Sequence, residues 1–189
     1  MQVTSLNEGT YTRIYQSAMS LLVIDFTYLE GWDCELMVKE LAAVGSQSNR
    51  VSSYIFKRPY GWEKVPMFKA RINEAIDNGC NWNDGDVPYS ELETLLHREA
   101  SPAFAIYYYG PLKIKFISGL IDHRVIDISL LEFPELADVI LAAIGCTFAC
   151  HKNSKHGCAL RMAYSLAQWL NFYTLSVQHK KCTPQHAFH

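Results

Sequence analysis

The sequence predicts an α/β fold with a mixed sheet: a three-strand antiparallel start, then alternating helices and strands, the whole flanked by helices. Three observations carry this. A β-branched and aromatic apolar run occupies Ser20–Leu29, two strand-like runs follow it across turn-forming segments, and the remainder switches between helical and extended patterns. The last strong element, after Ala159, follows the helical period closely.

Each element has its own signal. Ser20–Leu29 reads as a central strand buried on both faces, because its run is continuous rather than alternating and holds a single acid, Asp25. Glu30-Gly-Trp-Asp33 is turn chemistry. Glu35–Val44 and Val51–Phe56 read as the second and third strands, and Arg58–Pro66 as a loop. Met67–Asn78 has helical spacing through Phe68, Ile72, Ala75 and Ile76, closed by Asn78-Gly79. After the loop Asn83–Asp86, Pro88 stands near the start of a second helix carrying Leu92, Leu95 and Leu96. Ala103–Tyr109 reads as a strand, Leu112–Ile121 as a helix and Val125–Ile128 as a short strand. The final helix runs from Ala159 to about Val177 on Leu160, Ala163, Tyr164, Ala167 and Leu170. Residues 1–17 are expected to be a flexible segment, 18–178 a single domain and 179–189 a loose tail.

With 189 residues, 49% of them hydrophobic, the chain can bury one real core and is not disordered. A net charge of −2 gives no general footprint for nucleic acid, so such binding needs a local basic patch. Met1–Gln16 shows no secretory pattern, and the apolar runs Leu21–Phe26 and Val139–Ile144 are too short to span a bilayer. The expectation is a protein without membrane contact, cytoplasmic or nuclear, whose cysteines are reduced thiols or metal ligands.

Three of the six cysteines fall in one window of thirteen residues, where Cys146, Cys150 and Cys158 interleave with His151 and His156. Sulfur and imidazole nitrogen are the donors tetrahedral Zn²⁺ prefers. No second knuckle completes a ligand set, so the window reads as a metal site or as a group of buried thiols. Cys34, Cys80 and Cys182 have no partners by spacing and read as free thiols. No nucleophile elbow supports a Ser/His/Asp or Cys/His triad.

Two landmarks carry a resemblance. Leu22-Val-Ile-Asp-Phe-Thr27, followed by Val38-Lys-Glu-Leu-Ala-Ala-Val44, resembles the opening hairpin of DEDD-type 3′–5′ exonucleases, which have a ribonuclease-H-like fold. Cys158-Ala-Leu-Arg-Met-Ala163 resembles their last motif. The catalytic residues depart from it. Thr27 stands at the first-motif glutamate, Met162 at the last metal-binding aspartate and Gly157 at the general-base histidine, and Tyr109–Ser118 holds no acid. Only Asp25 remains, a relic of the first motif, and two-metal hydrolysis needs several carboxylates. Standard exonuclease activity is therefore expected to be absent.

What remains resembles the Maelstrom domain, an exonuclease-like fold without the DEDD acids that carries a Glu-Cys-His-Cys zinc site. The resemblance implies Glu40, Cys146, His151 and Cys158 as ligands of a structural Zn²⁺, with Cys150 as a rival ligand. The family's histidine position is Ala149 here, and His151 is its natural substitute. It also implies single-stranded RNA or protein partners in small-RNA-guided transposon silencing, with RNA cleavage that needs no DEDD acids. Two other readings stand beside it: a protein-interaction module of a mobile element or virus with no nucleic-acid role, and a degenerate metal-dependent exonuclease.

The residues leave their own alternatives open. Glu40, beside Lys39, also reads as a solvated strand-edge glutamate. Asp25 also reads as a strand-end aspartate bonded to backbone amides, or as a residual metal ligand with Asp84, Asp86 or Asp127. The stretch Tyr54–Trp62 offers Lys57 and Arg58 for phosphates and Tyr60 and Trp62 for stacking on single-stranded bases.

Overall fold

The computed structural model describes residues 21–30, 35–46, 49–66, 80, 83–131, 133–134 and 158–182. The expected helix at 67–78 and the segment 1–17 lie outside them. Five strands form one mixed sheet: β1 (Leu21–Glu30), β2 (Leu36–Gly45), β3 (Val51–Ile55), β4 (Ala105–Tyr108) and β5 (Val125–Asp127), in the order β3-β2-β1-β4-β5. β2 is antiparallel to both β1 and β3, while β4 runs parallel to β1 and β5 parallel to β4. Three α-helices accompany it among the described residues: α1 (Leu92–Ala100), α2 (Pro111–Ser118) and α3 (Ala159–Cys182). The expected three-strand antiparallel start and helix–strand alternation are both present. α3 extends five residues beyond Val177, into the stretch expected to be loose.

Burial on both faces explains why β1 is a continuous apolar run. Leu22, Ile24 and Phe26 pack with Leu92, Leu95 and Leu96 of α1 and Ile117 of α2 on one side. Val23, with Ala42 and Val44 of β2, packs against Ala159, Ala163, Leu166 and Leu170 of α3 on the other. The sheet is thus sandwiched between helical layers, each burying one apolar stripe. The rings of Tyr109, Phe133, Trp169 and Tyr173 form a chain of contacts, with centroids 5.3, 4.9 and 5.0 Å apart, which fastens the end of β4 to α3.

Between β1 and β2 the register slips by one residue. Thr27 pairs with Glu40 and Tyr28 with Val38, leaving Lys39 as the extra residue of a bulge. The slip resets the pleat, so that Val38 and Leu41, three apart, both face the layer of α1 and α2. Glu40 is thereby turned towards α3.

Lys39 is itself buried, and its ammonium donates to the carbonyls of Phe56 (2.7 Å) and Asp84 (2.6 Å). This holds the loop after β3, where Gly85 has φ +110°. A Cβ there would lie 2.4 Å from the Phe56 carbonyl oxygen. Gly85→Ala is expected to cost about 2 kcal/mol or more, through strain and displacement of the Lys39 acceptors. A urea denaturation midpoint unchanged from wild type would contradict this.

Glu99 of α1 staples the helix to β3. Its carboxylate accepts from Arg50 (2.6 Å), Ser52 (3.2 Å) and Tyr54 (2.6 Å). Burial pushes its carboxyl up, but these donors together outweigh it and hold the value below the usual range.

Candidate metal centre and adjoining cavity

The bulge delivers Glu40 to the start of α3 with no solvent exposure. Its Oε2 accepts from the Ala159 amide at 2.9 Å and its Oε1 from the Leu160 amide at 3.4 Å. These amides belong to the first turn of a helix, which has no internal acceptors for them and whose dipole favours negative charge. Cys158, also buried, immediately precedes that turn. Its Sγ accepts from the Arg161 amide at 3.4 Å, and its carbonyl receives the Met162 amide at 3.0 Å. A carboxylate and a thiol separated by 118 positions thus meet at one helix start.

The solvated alternative for Glu40 is corrected by this geometry. A partner at the start of α3, over a hundred residues away, draws the side chain inward. Burial drives its carboxyl up, the two amide bonds pull it down, nearby Asp25 adds to the rise, and the outcome is about 7. In register opposite Glu40, the Thr27 hydroxyl is buried and has no hydrogen-bond partner among the described residues.

Glu40 and Cys158, the two expected zinc ligands that are described, are brought together. Cys146, Cys150, His151 and His156 lie outside the described residues. Among the described residues no group of three or more His, Cys, Asp and Glu side chains converges as metal ligands. The donor chemistry of the pair suits Zn²⁺, which binds carboxylate oxygen and thiolate sulfur. Cys80 is buried.

Asp25 follows Val23 on the α3 side of β1, and its partner is neither a backbone amide alone nor another acid. The Lys113 ammonium, from the first turn of α2, lies 2.5 Å from its Oδ1 and 5.4 Å from the Phe26 ring centroid. The aspartate side chain is 4% exposed and the lysine 24%. Burial raises the Asp25 carboxyl above its ordinary value, and Lys113 opposes the rise without cancelling it. The pairing of Lys113 with Asp25, 88 positions apart, is what sequence reasoning missed. The available signal was Asp25 itself, since a lone acid in an apolar strand requires a cation.

The other acids do not join it. Asp127 Oδ1 accepts from the amides of Ser129 (2.9 Å) and Gly110 (3.5 Å), fastening the end of β5 to the start of α2. Asp84 and Asp86 sit on the loop running past β3, which is separated from β1 by β2. A cavity of about 300 Å³ opens beside the ion pair, lined by Asp25, Tyr28, Tyr109, Leu112, Lys113 and Met162 among others.

The expected RNA-binding stretch is divided. Phe56 is core, and Tyr54 is bound to Glu99 and stacked under Arg98. The Tyr60 hydroxyl donates to Glu35 at 3.0 Å while its ring packs on Leu29, Met37 and Val65. Lys57 is exposed, as is Arg58, which donates to the Asn83 side chain. The Trp62 side chain lies outside the described residues.

The fold and site define an α/β protein with a five-stranded mixed sheet and a carboxylate–thiol pair at the start of its last helix. Neither the protein-family models nor the curated proteins compared with the chain match it. No helix among the described residues is long and apolar enough to cross a membrane.

Proposed function

We propose that this chain is a zinc-stabilised, ribonuclease-H-like pseudo-exonuclease domain of the Maelstrom type that binds single-stranded RNA or silencing partners. The observation that carries the reading is the meeting of Glu40 and Cys158 at the start of α3. Glu40, Cys146, His151 and Cys158 would hold the ion, with Cys150 the alternative sulfur. A closed set of this kind leaves no position for water, so its contribution is to folding: it ties the segment before α3 to β2. The sheet supports the fold assignment, with its antiparallel three-strand start continued beyond β1 by parallel β4 and β5.

The surroundings of Asp25 support binding over two-metal hydrolysis. The relic acid is paired with a lysine, Thr27 offers a hydroxyl in place of a carboxylate, and Met162 faces the same cavity. One acid neutralised by an ammonium does not assemble a two-cation centre. Exposed Lys57 and Arg58 supply phosphate contacts for the strand, and their contribution falls as salt rises. A second reading, a protein-interaction module of a mobile element or virus, draws support from Phe172 and Leu175 of α3, which are 72% and 48% exposed.

Purified protein is expected to carry about one equivalent of zinc, and chelation is expected to lower its melting temperature. Less than a tenth of an equivalent would end the zinc reading. Labelled single-stranded RNA is expected to bind at low salt, with Mg²⁺ or with chelator. Zinc without RNA binding would favour the interaction module. Cleavage that requires Mg²⁺ and disappears in Asp25→Ala would restore a metal-dependent exonuclease.

A further inference from the structure

β3 is an edge of the sheet, and part of that edge is open. Residues along an antiparallel strand alternate in the side to which their backbone groups point. The Arg50 carbonyl accepts from the Gly45 amide (2.9 Å) and the Phe56 amide donates to the Lys39 carbonyl (2.8 Å), so the even-numbered residues from 50 to 56 face β2. Val51, Ser53 and Ile55 therefore face outwards. At the Ile55 end the chain itself fills the outer side. The Ile55 carbonyl accepts from the Asp86 and Val87 amides, and the Lys57 amide donates to the Val87 carbonyl. At the Val51 end, among the described residues, no group bonds to the outward amides and carbonyls of Val51 and Ser53.

Such a row of donors and acceptors is a template for another strand, and edges are commonly closed by lysine, proline or a bulge. Val51-Ser-Ser-Tyr-Ile55 contains no charge and no proline, and its register with β2 is regular. The surface beside it is cationic. Arg98 of α1 lies 5.7 Å over the Tyr54 ring and donates to its hydroxyl at 2.7 Å, with its side chain 61% exposed. Arg50 pairs with Glu99 at 2.6 Å. Two guanidinium groups thus share one carboxylate, and the turn Ser46–Asn49 supplies no acid.

We infer that the outer edge of β3 at Val51–Ser53 takes an extended acidic peptide of a partner protein, which joins the five-stranded sheet as a further strand and sets a carboxylate against Arg98. Main-chain bonds to Val51 and Ser53 supply affinity, and the side chains supply selectivity. Tyr54 and Phe56 belong to the layer of α1, so acids of the added strand fall on that face while its apolar residues lie beside half-exposed Val51. A second copy of the chain fits less well. If β3 paired with itself about a two-fold axis, Val51 would oppose Ser53 and Arg50 would oppose Tyr54, bringing Arg50 of one copy beside Arg98 of the other. A nucleic-acid strand has phosphates for the arginines but no alternating N–H and C=O groups to complete the ladder. Neither zinc nor RNA takes part in this contact, which goes beyond the domain assignment above.

The test uses the intact protein and three short synthetic peptides. The first alternates valine with glutamate, the second alternates valine with lysine, and the third is the glutamate peptide N-methylated at every second amide. Binding is read by fluorescence anisotropy, and amide hydrogen exchange is read residue by residue by NMR. The glutamate peptide is expected to bind at least about ten-fold more tightly than either of the others. It is expected to slow exchange at the Val51 and Ser53 amides, which are fast in the protein alone. The Ser52 and Tyr54 amides, which face β2, are expected to be slow throughout. Arg98→Gln is expected to reduce the preference for glutamate over lysine several-fold. Val51→Pro removes an outward N–H at the first position of the strand, where proline is tolerated. It is expected to weaken the glutamate peptide at least about ten-fold while the melting temperature stays near that of wild type.

No binding of the glutamate peptide to the wild type overturns the proposal. So does equal binding of the glutamate and lysine peptides, equal binding of the N-methylated peptide, or binding that leaves exchange at Val51 and Ser53 unchanged. The exchange result needs only wild-type protein and stands whether or not the proline variant folds. Slow exchange at both amides in the protein alone, appearing with a concentration-dependent dimer, gives the edge to a second copy and overturns the acidic partner. Protection of the same two amides by single-stranded RNA overturns it as well.

Discussion

Glu40→Gln is expected to change sign with metal: stabilising by about 1 kcal/mol in chelator-treated protein at pH 8, and destabilising in the zinc-bound protein. The carboxyl has an ordinary value of 4.5 and is pushed by burial to about 7. Its protonated form is therefore the one the metal-free fold prefers. The stability it contributes is full below 4.5, declines as pH rises through about 7 and is flat beyond. The whole difference corresponds to roughly 3 kcal/mol. Glutamine mimics the protonated form and removes the pH dependence. It offers one oxygen acceptor where the carboxylate offers two, so only part of that difference is recovered.

Bound zinc would reverse the outcome, because it requires the deprotonated carboxylate and its binding below pH 7 would displace a proton. Glu40→Ala removes both acceptors, strands the Ala159 and Leu160 amides and leaves a void. It is expected to cost about 2–3 kcal/mol with or without metal. Urea denaturation of the three proteins at pH 5 and pH 8, with zinc and with chelator, checks every sign. If glutamine destabilises the chelated protein at pH 8 as much as alanine does, Glu40 serves α3 as a cap and the argument from its burial fails.

Lys113→Met is expected to be the most damaging single change at the other site, at about 3–5 kcal/mol, because it leaves Asp25 buried and unpaired. Asp25→Leu/Lys113→Met removes both charges and is expected to cost far less than the lysine variant alone. The coupling in the double-mutant cycle is expected to exceed about 2 kcal/mol. The Lys113→Met defect has a defined pH course. Without the ammonium, burial is opposed by the Phe26 backbone hydrogen bond and no longer by Lys113, and the carboxyl rises further. The loss is therefore smallest in acid, where the carboxyl is neutral in both states, and grows as pH rises through the raised value. A cost independent of pH would mean that packing of the lysine stem on Phe26, not the ion pair, is what matters.

Much of the fold was legible because its signals are local. The continuous apolar run of β1 and the apolar stripe of α3 each declare themselves within a few residues, whereas α2 starts at Pro111, one residue before the expected Leu112. Gly110 adopts φ +101°, open to glycine, and Pro111 opens the helix where its missing N–H costs nothing. The candidate site was half legible. Glu40 and Cys158 were singled out through their resemblance to a known hairpin and helix start, and the structure puts them at one place. The slip at Lys39 was not legible, since a bulge is set by which residue of β2 opposes Thr27 and Tyr28, and no single strand encodes that pairing. Nor was Tyr60, whose aromatic-plus-basic setting suggested a stacking platform until its ring met Leu29 and Met37.

The sequence by itself determined the class of fold and the strands and helices among the described residues. Composition and periodicity are properties of neighbouring residues, and these conclusions need nothing else. Only the tertiary structure decided that Glu40 is buried at the start of α3, that Asp25 is matched by Lys113, and that the two parallel strands open onto a cavity. Those facts depend on contacts spanning 119 and 88 positions. Burial and pairing set the charge and reactivity of an acid, and both are fixed by which distant segments the sheet brings together.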